Sequence, residues 1–136
     1  MNALEEGTKV QFDFDKLTKV GQKDLQVVPV VLQDADSLTV LFVGYANEFA
    51  VRETLKSGQA VLWSTSRNEL WRKGASSGDV LELVDIRVNC EQNSLLYRVR
   101  PQGEGACHTK DSDGRARNNC YYRRLVEADL NDLEFV

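Results

Sequence analysis

Val27-Val-Pro-Val-Val-Leu32 and Leu38-Thr-Val-Leu-Phe-Val-Gly-Tyr-Ala46, joined through Asp34-Ala-Asp-Ser37, decide how this chain folds. Both runs are apolar and rich in β-branched residues, and the segment between them has turn-forming composition. They predict a β-hairpin over residues 27–46. Asn47 then reads as a helix N-cap, Glu48 as an early acid and Gly58 as the stop, which predicts a short helix over 48–57 with Phe49, Ala50 and Leu55 facing inward.

Strand character extends outward from this centre. Val10, Phe12 and Phe14 alternate with polar residues and predict a first strand over 9–14, and Ala60–Ser64 predicts another. Val80–Cys90 also alternates, with Leu81, Leu83, Asp85 and Arg87 on one face and Glu82, Val84, Ile86 and Val88 on the other. After the turn Glu91-Gln-Asn comes a strand over 94–100, then a last one over 120–125 and an acidic tail expected as a short helix or frayed end. Residues 65–79 read as a long surface loop, a kind of segment that often carries function. About seven strands against one short helix make the class α+β, with a mainly antiparallel sheet in a single domain over 1–136.

Composition narrows the roles open to such a domain. At 136 residues, 42% hydrophobic and 28% charged, the chain is ordinary for a soluble globular protein. Its apolar runs are strand-length, and the N-terminus has no secretory pattern, so the expected location is cytoplasmic, with no membrane partner. A net charge of −4 argues against a general nucleic-acid partner. Lys110, Arg115, Arg117, Arg123 and Arg124 nevertheless cluster against Asp111 and Asp113, a local basic patch that suits a small phosphorylated ligand.

Two stretches carry chemistry. In the loop 63–78, Arg67, Arg72 and Lys73 supply charge and Ser64, Ser66, Ser76 and Ser77 supply hydroxyls. Gly74 and Gly78 allow close backbone approach, and Trp71 either stacks on a base or anchors the loop. The alternative is a solvated turn with Trp71 packed in the core. The second stretch is Ala106-Cys-His-Thr to Cys120-Tyr-Tyr-Arg, with Cys90 upstream. A disulfide is disfavoured by the odd number of thiols and the expected compartment. Metal ligation and three buried thiols both remain open on spacing alone, because no close Cys-x-x-Cys pair is present.

From about residue 28 to 124 the chain resembles the phosphoribosyl-AMP cyclohydrolase family, which acts at the third step of histidine biosynthesis. The resemblance rests on Val28-Pro-Val-Val-Leu-Gln-Asp34, Tyr45-Ala-Asn-Glu48, and Ser66-Arg-Asn-Glu-Leu-Trp-Arg-Lys-Gly74 running on to Ser77-Gly78. Ala106-Cys-His-Thr109 and Cys120-Tyr-Tyr-Arg123 complete it. It implies a zinc hydrolase that opens the adenine ring of an N1-phosphoribosylated AMP at the N1–C6 bond, working as an intertwined homodimer. It further implies one zinc per subunit, shared across the dimer by Cys90 of one chain and Cys107 and Cys120 of the other. His108 would carry the proton, and the loop residues Ser64, Ser66, Arg67, Trp71, Arg72, Lys73, Ser76 and Ser77 would bind the substrate. Nucleobase deaminases attack a purine C6 in the same way, with a zinc-activated water.

Two departures from the family pattern stand out. The positions that bind magnesium in the family, three aspartates, are here Asn89, Glu91 and Asn93, which alternation would place together opposite Cys90. Two neutral amides weaken such a site, with Asp85 on the same face as a possible substitute. The second departure is Lys110–Arg117, which reads as a surface insertion with Asp113-Gly114 at its tip. The competing function is a zinc-stabilised nucleotide-binding relative without turnover. A third is a plain β-rich domain with buried thiols. Some family members carry a fused pyrophosphohydrolase, for which a chain ending at Val136 leaves no room.

Overall fold

The computed structural model describes residues 2–126 and 130–136. Among them the order is α1 (Ala3–Glu6), α2 (Lys16–Gln22), β1 (Val28–Asp34), β2 (Val40–Ala46), α3 (Glu48–Ser57), β3 (Val61–Ser64) and β4 (Glu69–Arg72). β5 (Leu81–Val88), β6 (Leu95–Pro101), β7 (Arg123–Leu125) and β8 (Leu133–Phe135) follow. The main sheet runs β2-β1-β6-β5, while β3-β4 and β7-β8 form separate ribbons. Only the central β1–β6 pair is parallel. The class is α+β and the pairing mainly antiparallel, as the sequence predicts.

The decisive hairpin forms, with Val30 opposite Gly44 and Leu32 opposite Phe42. Its turn is tied by the Asp34 carboxylate, which accepts from the amides of Asp36 and Ser37 at 2.9 and 3.2 Å. Leu38, expected in the strand, instead takes a left-handed conformation (φ 65°) and is exposed, so β2 starts only at Val40. The register then slips, because Leu32 faces Phe42 while Gln33 faces Val40. Leu41 is the extra residue of this bulge, a position without a partner across the ladder.

A second bulge corrects the reading of β5. Leu83 faces Val99 and Asp85 faces Arg98, so Val84 is extra and the alternation reverses beyond it. Ile86 therefore packs on the core beside Leu81 and Leu83, and Asp85 and Arg87 move to the other side. A period-two reading cannot detect one extra residue, and the face assignment fails from Asp85 onward.

The helix α3 starts and stops where expected. Asn47 accepts from the amide of Ala50 at 2.9 Å, and Gly58 ends it in the left-handed region. Its buried face is Ala50 and Thr54, however, while Phe49 and Leu55 are exposed. Small residues at i and i+4 let the helix lie close to β3. There the Thr54 hydroxyl sits 2.8 Å from the Ala50 carbonyl and accepts from the Val61 amide at 3.0 Å. Val30, Leu32, Leu62, Leu81, Tyr97 and Val99 complete the core.

Three other expectations are corrected. Residues 9–14 are not a strand: only Lys9 bridges to Asp132, and the exposed rings of Phe12 and Phe14 meet each other edge-on. α1 and α2 join α3, so there are three helices among the described residues. The acidic tail supplies strand β8, which pairs with β7 from Arg123–Phe135 to Leu125–Leu133. Glu127 and Asp129 of that tail lie outside the described residues. Thr54→Val keeps the volume but leaves the buried Val61 amide without its acceptor. We expect a loss of about 1–3 kcal/mol in denaturant unfolding.

Candidate active site

The two cysteines far apart in the loop region lie side by side. Residues 106–109 run against 116–118, with the Ala106 amide donating to Asn118 O at 3.3 Å, Cys107 to Arg117 O at 3.0 Å and Arg117 to Thr109 O at 3.0 Å. The segment between them closes on itself. Its Lys110–Ala116 bridge forms the stem, and the Asp111 carboxylate accepts from the amides of Asp113 and Arg115. The insertion thus leaves and returns at one place. Cys120 is then pinned to β2, its amide donating to the bulge carbonyl of Leu41 at 2.8 Å.

Burial at the thiol pushes Cys120 up to about 12, and the adjoining Cys107, through its charge and a hydrogen bond, acts in the same direction. Cys107 is buried, with its Sγ 3.0 Å from Thr109 Oγ1. Lys73, only 7% exposed, faces the same place. Burial pushes its ammonium below its ordinary value, and Asp79 and both thiols pull it back. Two adjacent thiols beside a buried ammonium are a place where negative charge created by a bound cation would be offset. As a donor set the pair fits a thiophilic metal but is incomplete, since no group of three or more His, Cys, Asp or Glu converges among the described residues. Cys90 stands exposed at the β5–β6 turn.

The loop predicted over 65–79 contains β4 and forms a hairpin with β3. Its tip gathers hydroxyls: Ser64 and Ser66 have their oxygens 3.4 Å apart, and Ser64 accepts from the Arg67 amide. Asn68, in the left-handed region, accepts from the Trp63 indole. Arg67 is exposed. Trp71 packs on Phe42 with ring centres 5.9 Å apart and stays partly open. Arg72 is turned to α3, where it pairs with Glu53 at 2.7 Å and holds that carboxyl below its ordinary range. Ser76 and Ser77 are exposed, and Ser77 caps the Asp79 amide. Lys73 and the Ser64–Asn68 tip lie at opposite ends of the hairpin, about 16 Å apart along β4 at the usual strand rise. One chain therefore does not gather the predicted loop residues into one pocket.

Two cations unremarked in the sequence reach that tip from α2. Lys16 donates to Thr65 Oγ1 at 3.1 Å, and Lys23 donates to the carbonyls of Thr65 and Ser66 at 2.8 and 3.3 Å. Lysines three or four apart on a helix share a face, but Lys16 and Lys23 are two turns apart with Lys19 between them. Only that periodicity could have signalled them. The basic patch of 110–124 is largely spent internally: Arg117 forks onto Glu6, Arg124 pairs with Glu134, and Arg123 donates to the carbonyls of Leu4 and Gly7. A cavity of about 630 Å³ beside it is lined by Arg115 and Arg117 of that patch with Asn118, Asn119, Tyr122 and Phe135 among others, and by none of the cysteines, His108 or the 64–78 loop residues.

Asn89, Glu91 and Asn93 do come together, though through a turn and not by strand alternation, since β5 ends at Val88. The Asn89 side-chain oxygen accepts from the amides of Asn93 and Ser94, its nitrogen donates to Asn93 Oδ1 at 2.7 Å, and the Asn93 nitrogen donates to Glu91 at 3.2 Å. Asp85 is engaged by Arg98 at 2.9 Å and does not join them. Its other oxygen is buried without a partner among the described residues. One carboxylate and two amides already committed to the turn do not fit a dedicated magnesium site.

A thiol pair at one end of a β-ribbon and a hydroxyl-rich, lysine-flanked tip at the other define a small α+β protein of a specific kind. The family model described as phosphoribosyl-AMP cyclohydrolase matches residues 42–122. The chain is 48% identical to a phosphoribosyl-AMP cyclohydrolase of Sphingopyxis alaskensis, covering 76% of this chain and 75% of that protein. It is 46% identical to one from Archaeoglobus fulgidus over 73% and 85% of the two chains. A histidine biosynthesis bifunctional protein of Thermus thermophilus is 43% identical over 81% of this chain and 48% of its own length. The chain belongs to the phosphoribosyl-AMP cyclohydrolase family, and so is a hydrolase.

The close crossing of the cysteine segments depends on Gly105. A Cβ there would lie 2.3 Å from Arg117 O and 2.5 Å from Ala116 O. Neither atom can move without unzipping the crossing, so Gly105→Ala should lower stability by roughly 1–3 kcal/mol or more. A thermal melt measures the loss, and the thiols of Cys107 and Cys120 should then react faster with a thiol reagent.

Proposed function

We propose that this chain hydrolyses the N1–C6 bond of the adenine ring in 1-(5-phosphoribosyl)-AMP, in histidine biosynthesis, as a zinc-dependent homodimer. The observation that carries the reading is the adjacency of Cys107 and Cys120, distant in sequence and side by side in the fold. Cys107 and Cys120 of one subunit, completed by Cys90 of another, would hold the zinc. When bound, that ion would supply a water acidic enough to act near neutral pH. The exposed position of Cys90, together with the apolar side chains of Val43, Phe49, Leu55, Val84 and Val88 left open on one chain, supports a second copy as the missing half.

The chain's own residues have separable tasks. Alkylation at N1 withdraws electrons from C6 and makes it electrophilic before any protein group acts. Ser64, Ser66 and the Arg67 amide, with Lys16 and Lys23 beside them, receive a phosphate end of the substrate. His108 moves the proton between the attacking water and the departing N1. The buried Lys73 ammonium offsets the negative charge of the thiolates. Because Asn89 and Asn93 spend their amides on the turn, the reading assigns no step to magnesium.

Loss of ring absorbance on opening of phosphoribosyl-AMP tests this directly. Turnover is expected without added magnesium and should vanish once a chelator has removed zinc, then return with zinc. Cys107→Ser should lose turnover and bound zinc together. A folded, zinc-containing dimer without turnover under any condition would favour the nucleotide-binding reading, for which the altered 89/91/93 turn is the specific observation.

A further inference from the structure

The contact that neither the sequence nor the family reading anticipates joins the N-terminus to the single histidine. Glu5 Oε2 meets His108 Nε2, and the other oxygen, Oε1, accepts from the Asn2 side chain at 2.8 Å. Asn2 also caps α1 through the Leu4 amide at 2.9 Å. The carboxylate is therefore oriented before it reaches the imidazole. The matched family model begins at residue 42, so Glu5 lies ahead of it and His108 within it.

A four-residue helix does not hold itself in place, yet this one is fastened at several points. Arg117 grips Glu6 with two bonds of 2.7 and 2.9 Å and lies over the Tyr122 ring. Arg123 donates to the carbonyls of Leu4 and Gly7 at the end where the helix leaves them unsatisfied. Tyr122 Oη donates to the Glu5 carbonyl at 2.9 Å. Every fastening uses Glu6 or the backbone. The Glu5 carboxylate takes no part in them and meets Asn2 and His108 instead.

We infer that Glu5 is a positioning residue for His108: its carboxylate accepts the Nε2 proton, fixes that tautomer and ring orientation, and leaves Nδ1 as the atom free to take a proton. A carboxylate behind a histidine commonly sets its tautomer in this way. The inference rests on the reading of His108 as the proton carrier.

Because the chain has one histidine, nitrogen NMR on histidine-labelled protein reports this imidazole alone. With the ring neutral, the native protein should show the Nε2-protonated form, and Glu5→Ala should show a mixture of tautomers. On phosphoribosyl-AMP, Glu5→Ala should lose about ten- to a hundredfold in kcat with KM unchanged. Glu5→Gln, which keeps an accepting oxygen, should fall between. An unchanged tautomer in Glu5→Ala overturns the inference, as does a changed tautomer with undiminished kcat. Absence of turnover in the native enzyme would sink the hydrolytic reading instead, and the tautomer comparison would still decide whether Glu5 positions the ring.

Discussion

The amide of Cys120 donates to the carbonyl of Leu41, and the site is built outward from that bond. Leu41 is fully buried and is the bulged residue of β2, so its carbonyl is not claimed by the neighbouring strand. A buried carbonyl needs a partner, and the returning loop provides one. The bond fixes Cys120 against the rigid sheet, and the backbone crossing at Cys107 then fixes the second thiol against the first. Lys73, arriving from the end of β4, closes the arrangement electrostatically. Remove the bulge, and the ladder would take up that carbonyl and release the loop.

Much of this was legible in the amino-acid sequence where the signal is local. The 27–46 hairpin, the Asn47 cap and the Gly58 stop depend on residues within a few positions of each other, and they form as read except that β2 starts at Val40. The two bulges were not legible, because an extra residue at Leu41 or Val84 leaves composition and spacing untouched while moving every later side chain to the other face. Nor was the N-terminal segment legible. Its alternating Val10, Phe12 and Phe14 resemble a strand, but the pairing stops after the single Lys9–Asp132 bridge, and the two phenyl rings are left exposed. The thiol pairing was hinted at by residue type and supplied by the resemblance. Twelve intervening residues conceal it from any spacing rule.

The two candidate metal sites of the sequence come out differently. At the first, the two sulfurs are held side by side with the buried Lys73 ammonium facing them. The 89/91/93 turn is different. Its side-chain amides hold the turn closed through bonds that carboxylates could not donate, and its one acid is itself a hydrogen-bond acceptor within the turn.

The self-closing insertion between Cys107 and Cys120 has a consequence for how this protein can change. The Lys110–Ala116 stem and the 106–118 crossing carry the geometry, whereas the Asp113-Gly114 tip bonds only back to Asp111. Chain length beyond the stem is therefore decoupled from thiol placement. A fluorophore or affinity sequence spliced into the tip would travel with the protein as a silent passenger.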